Sequence, residues 1–163
     1  MITFRPMVQE DVEFVNKIRN QVREYLHDDR ALTFNESLEW FVTTQPRFYM
    51  IVYNECSIGY FRTSEYSKEN RRIYIGADLD PKFWGQGHAK RAYRKFIPYL
   101  FETLDLNKIG LEVLSTNIRA FKLYQSLGFT QEGTKRQDVH RNGEFADSII
   151  MSILKEEYNA SRS

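Results

Sequence analysis

The sequence contains little that would cross-link, anchor or strongly charge the chain. Cys56 is the one cysteine among 163 residues, which excludes an internal disulfide and points to a reducing compartment. The three histidines, His27, His88 and His140, show no metal-ligand spacing, so no metal is expected. No apolar run approaches the ~20 residues that span a bilayer. The N-terminal segment Met1-Ile2-Thr3-Phe4-Arg5 lacks the apolar core of a signal peptide, and a cytoplasmic protein is expected. A net charge of +1 gives no argument for nucleic acid or a membrane surface as a partner. Repeats, low-complexity tracts and linkers are absent, so one domain over residues 1–163 is expected.

What is present is an ordinary apolar content of 42% and an unusual aromatic content of 15%, with 12 Phe and 10 Tyr. An aromatic core accounts for this, as would aromatic-lined clefts. The chain is organised around Asp80-Pro81-Lys82-Phe83-Trp84-Gly85-Gln86-Gly87-His88-Ala89-Lys90-Arg91. An apolar strand pattern, Ile73 to Leu79, leads into it, and a helical pattern from about Ala89 to Leu104 follows. Two glycines at such a junction let the backbone turn tightly and approach a ligand. A helix start offers unpaired N–H groups and the positive end of the dipole, which suit phosphate.

The first turns of this helix hold Lys90, Arg91, Arg94 and Lys95. Each cation there opposes the macrodipole by about 0.3–1 kcal/mol. A bound diphosphate would turn that penalty into an attraction; a solvated basic face beside a glycine turn is the alternative. A Rossmann fingerprint would need a third glycine where Lys90 stands, and a P-loop would need Gly-Lys-Ser/Thr.

Around this stretch the periodicities give the order β-α-α-β-β-β-α-β-α-β-β. Val12, Val15, Ile18, Val22 and Leu26 predict a helix ended by the turn His27–Arg30, and Thr33-x-x-Glu36 predicts a capped second helix. Phe48–Tyr53, Ile58–Thr63 and Arg72–Leu79 predict a meander with a turn at Asn54–Ser57. Lys108–Leu114 is a strand, Asn117 caps a helix running to about Leu127, and Asn142-Gly143 is a hairpin turn before Phe145–Leu154. The polar tail from Glu156 is expected to fray. Strand-helix-strand units after position 72 require a mixed sheet.

Two segments resemble the GNAT N-acetyltransferases. Trp84-Gly85-Gln86-Gly87-His88-Ala89 fits their Gln/Arg-x-x-Gly-x-Gly/Ala motif at Gly87 and Ala89 and departs from it at Trp84. Asn117-Ile118-Arg119-Ala120-Phe121-Lys122-Leu123-Tyr124-Gln125-Ser126-Leu127-Gly128-Phe129 is similar to the Asn-x-x-Ala-x-x-x-Tyr-x-x-x-Gly-Phe signature. The element order matches over nearly the whole chain. The resemblance implies an α/β (α+β) fold, with a mixed, mostly antiparallel seven-stranded sheet flanked by four helices. It also implies acetyl-CoA as cosubstrate.

By the same resemblance the diphosphate would be held by Gly85, Gln86, Gly87, His88, Ala89 and Lys90, with His88 contributing only its backbone. Backbone groups of Ala77, Asp78 and Leu79 would pair with the acyl-pantetheine arm. Asn117, two helical turns before Tyr124, would hydrogen-bond an amide of that arm; a plain N-cap is its other reading. Tyr124 would protonate the departing thiolate, and its other reading is a packing tyrosine. Glu112, opposite the apolar face of its strand, would be a base acting through water, or an exposed carboxylate with no role. The acceptor that the resemblance implies is a primary amine of a small molecule. The segments Ile18-Arg19-Asn20 and Gln131–Arg136 resemble the branch acting on nucleotide-linked amino sugars; ribosomal-protein N-terminal and polyamine acetyltransferases are the alternatives. A non-catalytic acyl-CoA-binding module and a nucleoside-triphosphate binder are readings from other classes. The last hairpin and the strand edges would also allow a homodimer.

Overall fold

The computed structural model describes residues 1–162. Seven strands form one sheet: β1 (Ile2–Pro6), β2 (Tyr49–Tyr53), β3 (Cys56–Ser67), β4 (Arg72–Leu79), β5 (Lys108–Leu114), β6 (Thr130–Arg141) and β7 (Glu144–Leu154). The helices are α1 (Val12–Val22), α2 (Phe34–Thr44), α3 (His88–Thr103), α4 (Ile118–Ser126) and α5 (Lys155–Ala160). The strand order is β1-β2-β3-β4-β5-β7-β6. β1–β2, β2–β3, β5–β7 and β6–β7 pair antiparallel, and β4–β5 pair parallel, so the sheet is mixed as expected. The parallel ladder joins Arg72–Tyr74 to Lys108–Gly110 and leaves the backbone of Ile75–Leu79 outside it.

The chain forms two compact units. One comprises Met1–Thr63 and Gly76–Ala92, the other Ser64–Ile75 and Tyr93–Ser163. In the first, Val12, Val15, Ile18 and Val22 form the buried stripe of α1. Val12, Val15 and Ile18 of that stripe join Met7, Met50 and Tyr60 in a core onto which Phe14, Leu38, Trp40 and Phe48 pack. Each buried aliphatic side chain contributes about 1.5–3 kcal/mol. α2 starts as its sequence predicts. Glu36 N–H donates to Thr33 Oγ1 at 3.1 Å, and Thr33 N–H donates to Glu36 Oε2 at 2.8 Å. Arg62 on β3 and Asp78 on β4 form a salt bridge at 2.9 Å.

In the second unit, Asn117 Oδ1 accepts from Ala120 N–H at 3.2 Å and caps α4. Gly128, at φ 94°, follows the end of that helix. The β6–β7 hairpin turns through Asn142 and Gly143 at φ 51° and 79°, both in the left-handed region that a type I′ turn needs. No helix among the described residues is long and apolar enough to cross a membrane.

Four expectations are corrected. The α-helical part of the first helix stops at Val22. A 3-10 turn, Arg23–Tyr25, follows, and Leu26 reaches the interior in extended conformation. The first hairpin turn is tighter than predicted: Asn54 and Glu55 take positive φ, so Cys56 opens β3, which runs on to Ser67. α3 begins one residue early and includes the His88 side chain in its first turn. The tail does not simply fray from Glu156 but forms a fifth helix, α5. There Glu157 Oε2 accepts from Leu154 N–H at 3.0 Å, and Tyr158 stacks on Phe101 at 5.4 Å.

Candidate active site

In the first unit the chain leaves β4 through a stop built from Asp80. Asp80 N–H donates to Ile58 O at 2.9 Å, and Asp80 Oδ1 accepts from Lys82 N–H at 3.1 Å, which sets a single 3-10 turn over Pro81–Phe83. Trp84 then folds back: its indole N–H donates to Leu79 O at 3.1 Å, and its ring meets Tyr25 edge-on at 5.8 Å. Tryptophan at the motif's departing position is therefore a structural anchor for the loop. Of the three β4 residues expected to offer backbone groups, Leu79 has its carbonyl engaged by this indole. Asp78 turns its side chain to Arg62, which leaves only its main chain for a ligand. Burial, and then the Asp78 carboxylate, push the Tyr60 phenol well above its ordinary pKa.

Gly85 and Gly87 take φ 72° and 76°. Side chains rarely adopt that conformation, so these two positions set the bend. The first helical bond behind it is donated by Arg91 N–H to Gly87 O at 3.1 Å. The amides ahead of Arg91 are those that a helix start leaves without i−4 partners, and they are available to an anion. His88 differs from its expectation. Its ring is 3% exposed and is held by Gln86, Arg91, Tyr53 and Phe83. Burial, and then the Arg91 charge, lower its pKa below the usual histidine value.

In the second unit, Tyr124 lies on α4 and is 7% exposed. Its hydroxyl is 3.3 Å from that of Tyr93 on α3, and its ring meets Tyr93 edge-on at 5.7 Å and Phe129 at 5.9 Å. Tyr124 is thus held in one rotamer, and its phenol already has a hydrogen-bonding neighbour. Sequence reading missed Tyr93, because 31 positions separate the two hydroxyls. Asn117 uses its carbonyl oxygen as the α4 cap, so a ligand contact would fall to its NH₂ group. Glu112, on β5, is half-buried, and its Oε1 accepts from Lys135 Nζ at 2.7 Å. The Lys135 pKa is raised by that bond. Lys135 was also missed, because it approaches Glu112 only through the strand register of β5, β7 and β6.

A profile of the acetyltransferase (GNAT) domain matches residues 1–130. The chain belongs to this family. Spermidine N(1)-acetyltransferase of Escherichia coli K12 is 28% identical over 167 residues, covering 98% of this chain and 89% of that protein. The uncharacterized N-acetyltransferase p20 of Bacillus licheniformis is 41% identical over 91 residues, 56% of this chain and 51% of that protein. That match spans about half the length of the relative. A crystal structure of spermidine N-acetyltransferase from Vibrio cholerae, in complex with CoA and spermine, superposes with a TM-score of 0.90 at 25% identity, covering 97% of this chain and 98% of that one. The mixed sheet with its flanking helices is therefore the GNAT fold.

Proposed function

We propose that this GNAT protein is an acetyl-CoA-dependent N-acetyltransferase acting on a primary amine of a small molecule, with a polyamine as the acceptor. The observation that supports the cosubstrate is the left-handed Gly85–Gly87 bend opening α3, behind which the first helical bond is donated by Arg91 N–H, so that the amides ahead of it have no i−4 partner. Full-length similarity to spermidine acetyltransferases supports the acceptor over the nucleotide-linked amino sugar suggested by the sequence segments.

In this reading the amides of Gly85–Lys90 hold the diphosphate. Main-chain groups of Ala77 and Asp78, and the Asn117 NH₂, hold the pantetheine arm. The amine nitrogen attacks the thioester carbonyl and a tetrahedral oxyanion forms. Before that attack the ammonium loses one proton through water to Glu112. As the oxyanion collapses the C–S bond breaks, Tyr124 gives its proton to the thiolate, and the second proton leaving the new amide nitrogen restores the phenol.

One assay separates these acceptors: thiol release from acetyl-CoA with spermidine, with a UDP-linked amino sugar, and with an N-terminal peptide. Release with spermidine is expected. Release with either of the others alone would replace the polyamine. CoA binding without release on any amine would make the chain a non-catalytic binding module.

A further inference from the structure

The bend that opens α3 is more than a set of amides, because a buried histidine is wired into it. His88 is packed between Tyr53, at 4.5 Å, and Phe83, at 5.7 Å. Arg91, one helical turn on, places Nη2 2.9 Å from His88 Nδ1 and donates from Nη1 to Gln86 O at 3.2 Å. A guanidinium can only donate, so His88 Nδ1 must accept. The one proton of the neutral ring is then on Nε2, where Gln86 Oε1 lies at 3.3 Å. Gln86 Nε2 in turn donates to Lys82 O at 3.0 Å, so side-chain bonds run without a break from the 3-10 turn to α3. The guanidinium lies against the bend itself: a Cβ on Gly87 would meet Arg91 Nη1 at 3.1 Å.

We propose that His88 is a positioning residue that holds the Arg91 guanidinium beside Gly87, as a preplaced cation for the diphosphate of the acyl-CoA. The proposal rests on the acetyl-CoA reading above. Three chemical facts support it. Arg91 is exposed while the ring that anchors it is buried, so the anchor is rigid and the charge is accessible. Two of the five guanidinium N–H groups make the bonds above, which leaves donors for phosphate oxygens. A free arginine side chain has about 2 kcal/mol of rotamer entropy to lose on binding, and the histidine removes much of that loss beforehand.

The test combines CoA titration calorimetry with a double-mutant cycle. His88→Phe keeps an aromatic ring against Tyr53 and Phe83 but removes Nδ1; Arg91→Met removes the charge from an exposed position. Each single variant is expected to weaken CoA binding about tenfold, and the double variant no further. Acetyl-pantetheine, which has no diphosphate, should bind all four proteins alike. Dephospho-CoA should show the same loss as CoA, since the diphosphate and not the 3′-phosphate is the partner. Two independent losses that multiply, or normal binding by Arg91→Met, would overturn the proposal. A second measurement needs no ligand: the 15N shifts of His88 should show the Nε2–H tautomer in the wild type and lose that pattern in Arg91→Met. Wild-type protein that shows this tautomer but binds no CoA would overturn the acetyl-CoA reading and the role of the clamp with it. CoA binding without the tautomer would overturn the clamp alone.

Discussion

Gly85→Ala and Gly87→Ala separate what the bend costs the fold from what it does for a ligand. Both glycines sit at positive φ, 72° and 76°, where an L side chain costs about 1–2 kcal/mol. Alanine also lowers the entropy of the unfolded chain, which offsets about 0.4–1 kcal/mol of that cost. A net loss of about 1 kcal/mol corresponds to a Tm about 2–4 °C lower for a chain of this size. Around Gly85 an added Cβ meets nothing within 4 Å, so the backbone term stands alone. At Gly87 the Cβ meets Arg91 Nη1 at 3.1 Å, and the flexible guanidinium can move a few tenths of an ångström away. The two variants should therefore melt alike without ligand. They should differ once CoA is present. At about 100 times Kd a ligand adds about 2.7 kcal/mol to the wild type, and Gly87→Ala should gain less than Gly85→Ala because its arginine is displaced. The assay is a calorimetric melt of each protein with and without CoA. An unchanged Tm for Gly85→Ala would refute the strain argument, and equal gains with CoA would refute the contact between Arg91 and Gly87.

Tyr124→Phe should lower kcat about 10²–10⁴-fold while leaving CoA affinity within twofold; unaltered turnover would remove Tyr124 from the role of general acid. Thr33→Ala, which removes the Oγ1 acceptor of the Glu36 N–H in the α2 capping box, should cost about 1 kcal/mol and lower Tm by about 2–4 °C, read by thermal denaturation. The buried His88 gives stability a pH dependence. Its folded pKa is depressed, so the unfolded chain binds its proton more readily. The contribution is complete above the ordinary histidine value of about 6.5 and is lost as pH falls through the folded value. Urea melts from pH 8 to pH 5 should show this decline in the wild type and a flatter profile in His88→Phe.

Features fixed by local chemistry were legible in the sequence. Thr33 and Glu36 announce α2, Asn142-Gly143 announces the β6–β7 turn, and Gly85 and Gly87 announce the bend, because each depends on residues at most three positions apart. The mixed sheet followed from the strand-helix-strand order alone. Pairings that depend on register were not legible: Glu112 with Lys135, 23 positions away, and Arg62 with Asp78, 16 positions away, meet only after the strands have aligned. α5 was missed because its polar sequence holds one aromatic, Tyr158, whose stacking on Phe101 cannot be read from its neighbours. His88 and Arg91 are three apart on one helix and could have been found. Treating the glycine loop as backbone alone hid them. The acceptor was the least legible feature, since neither motif carries a residue pattern that names an amine.

α3 shows how a helix can keep a start that folding alone would not select. No acidic residue stands in its first turn, and Pro98 lies within its interior. Proline within a helix costs about 3 kcal/mol, and each cation at the start about 0.3–1 kcal/mol. Against this, Tyr93, Phe96, Ile97, Leu100 and Phe101 are all buried, and each contributes about 1.5–3 kcal/mol. The buried stripe outweighs both defects, so stability places little demand on the first turn. That freedom lets the first turn hold Lys90 and Arg91 and start from a strained bend. By the reading proposed above, an arriving diphosphate would meet amides and a guanidinium whose ordering cost was met when the chain folded.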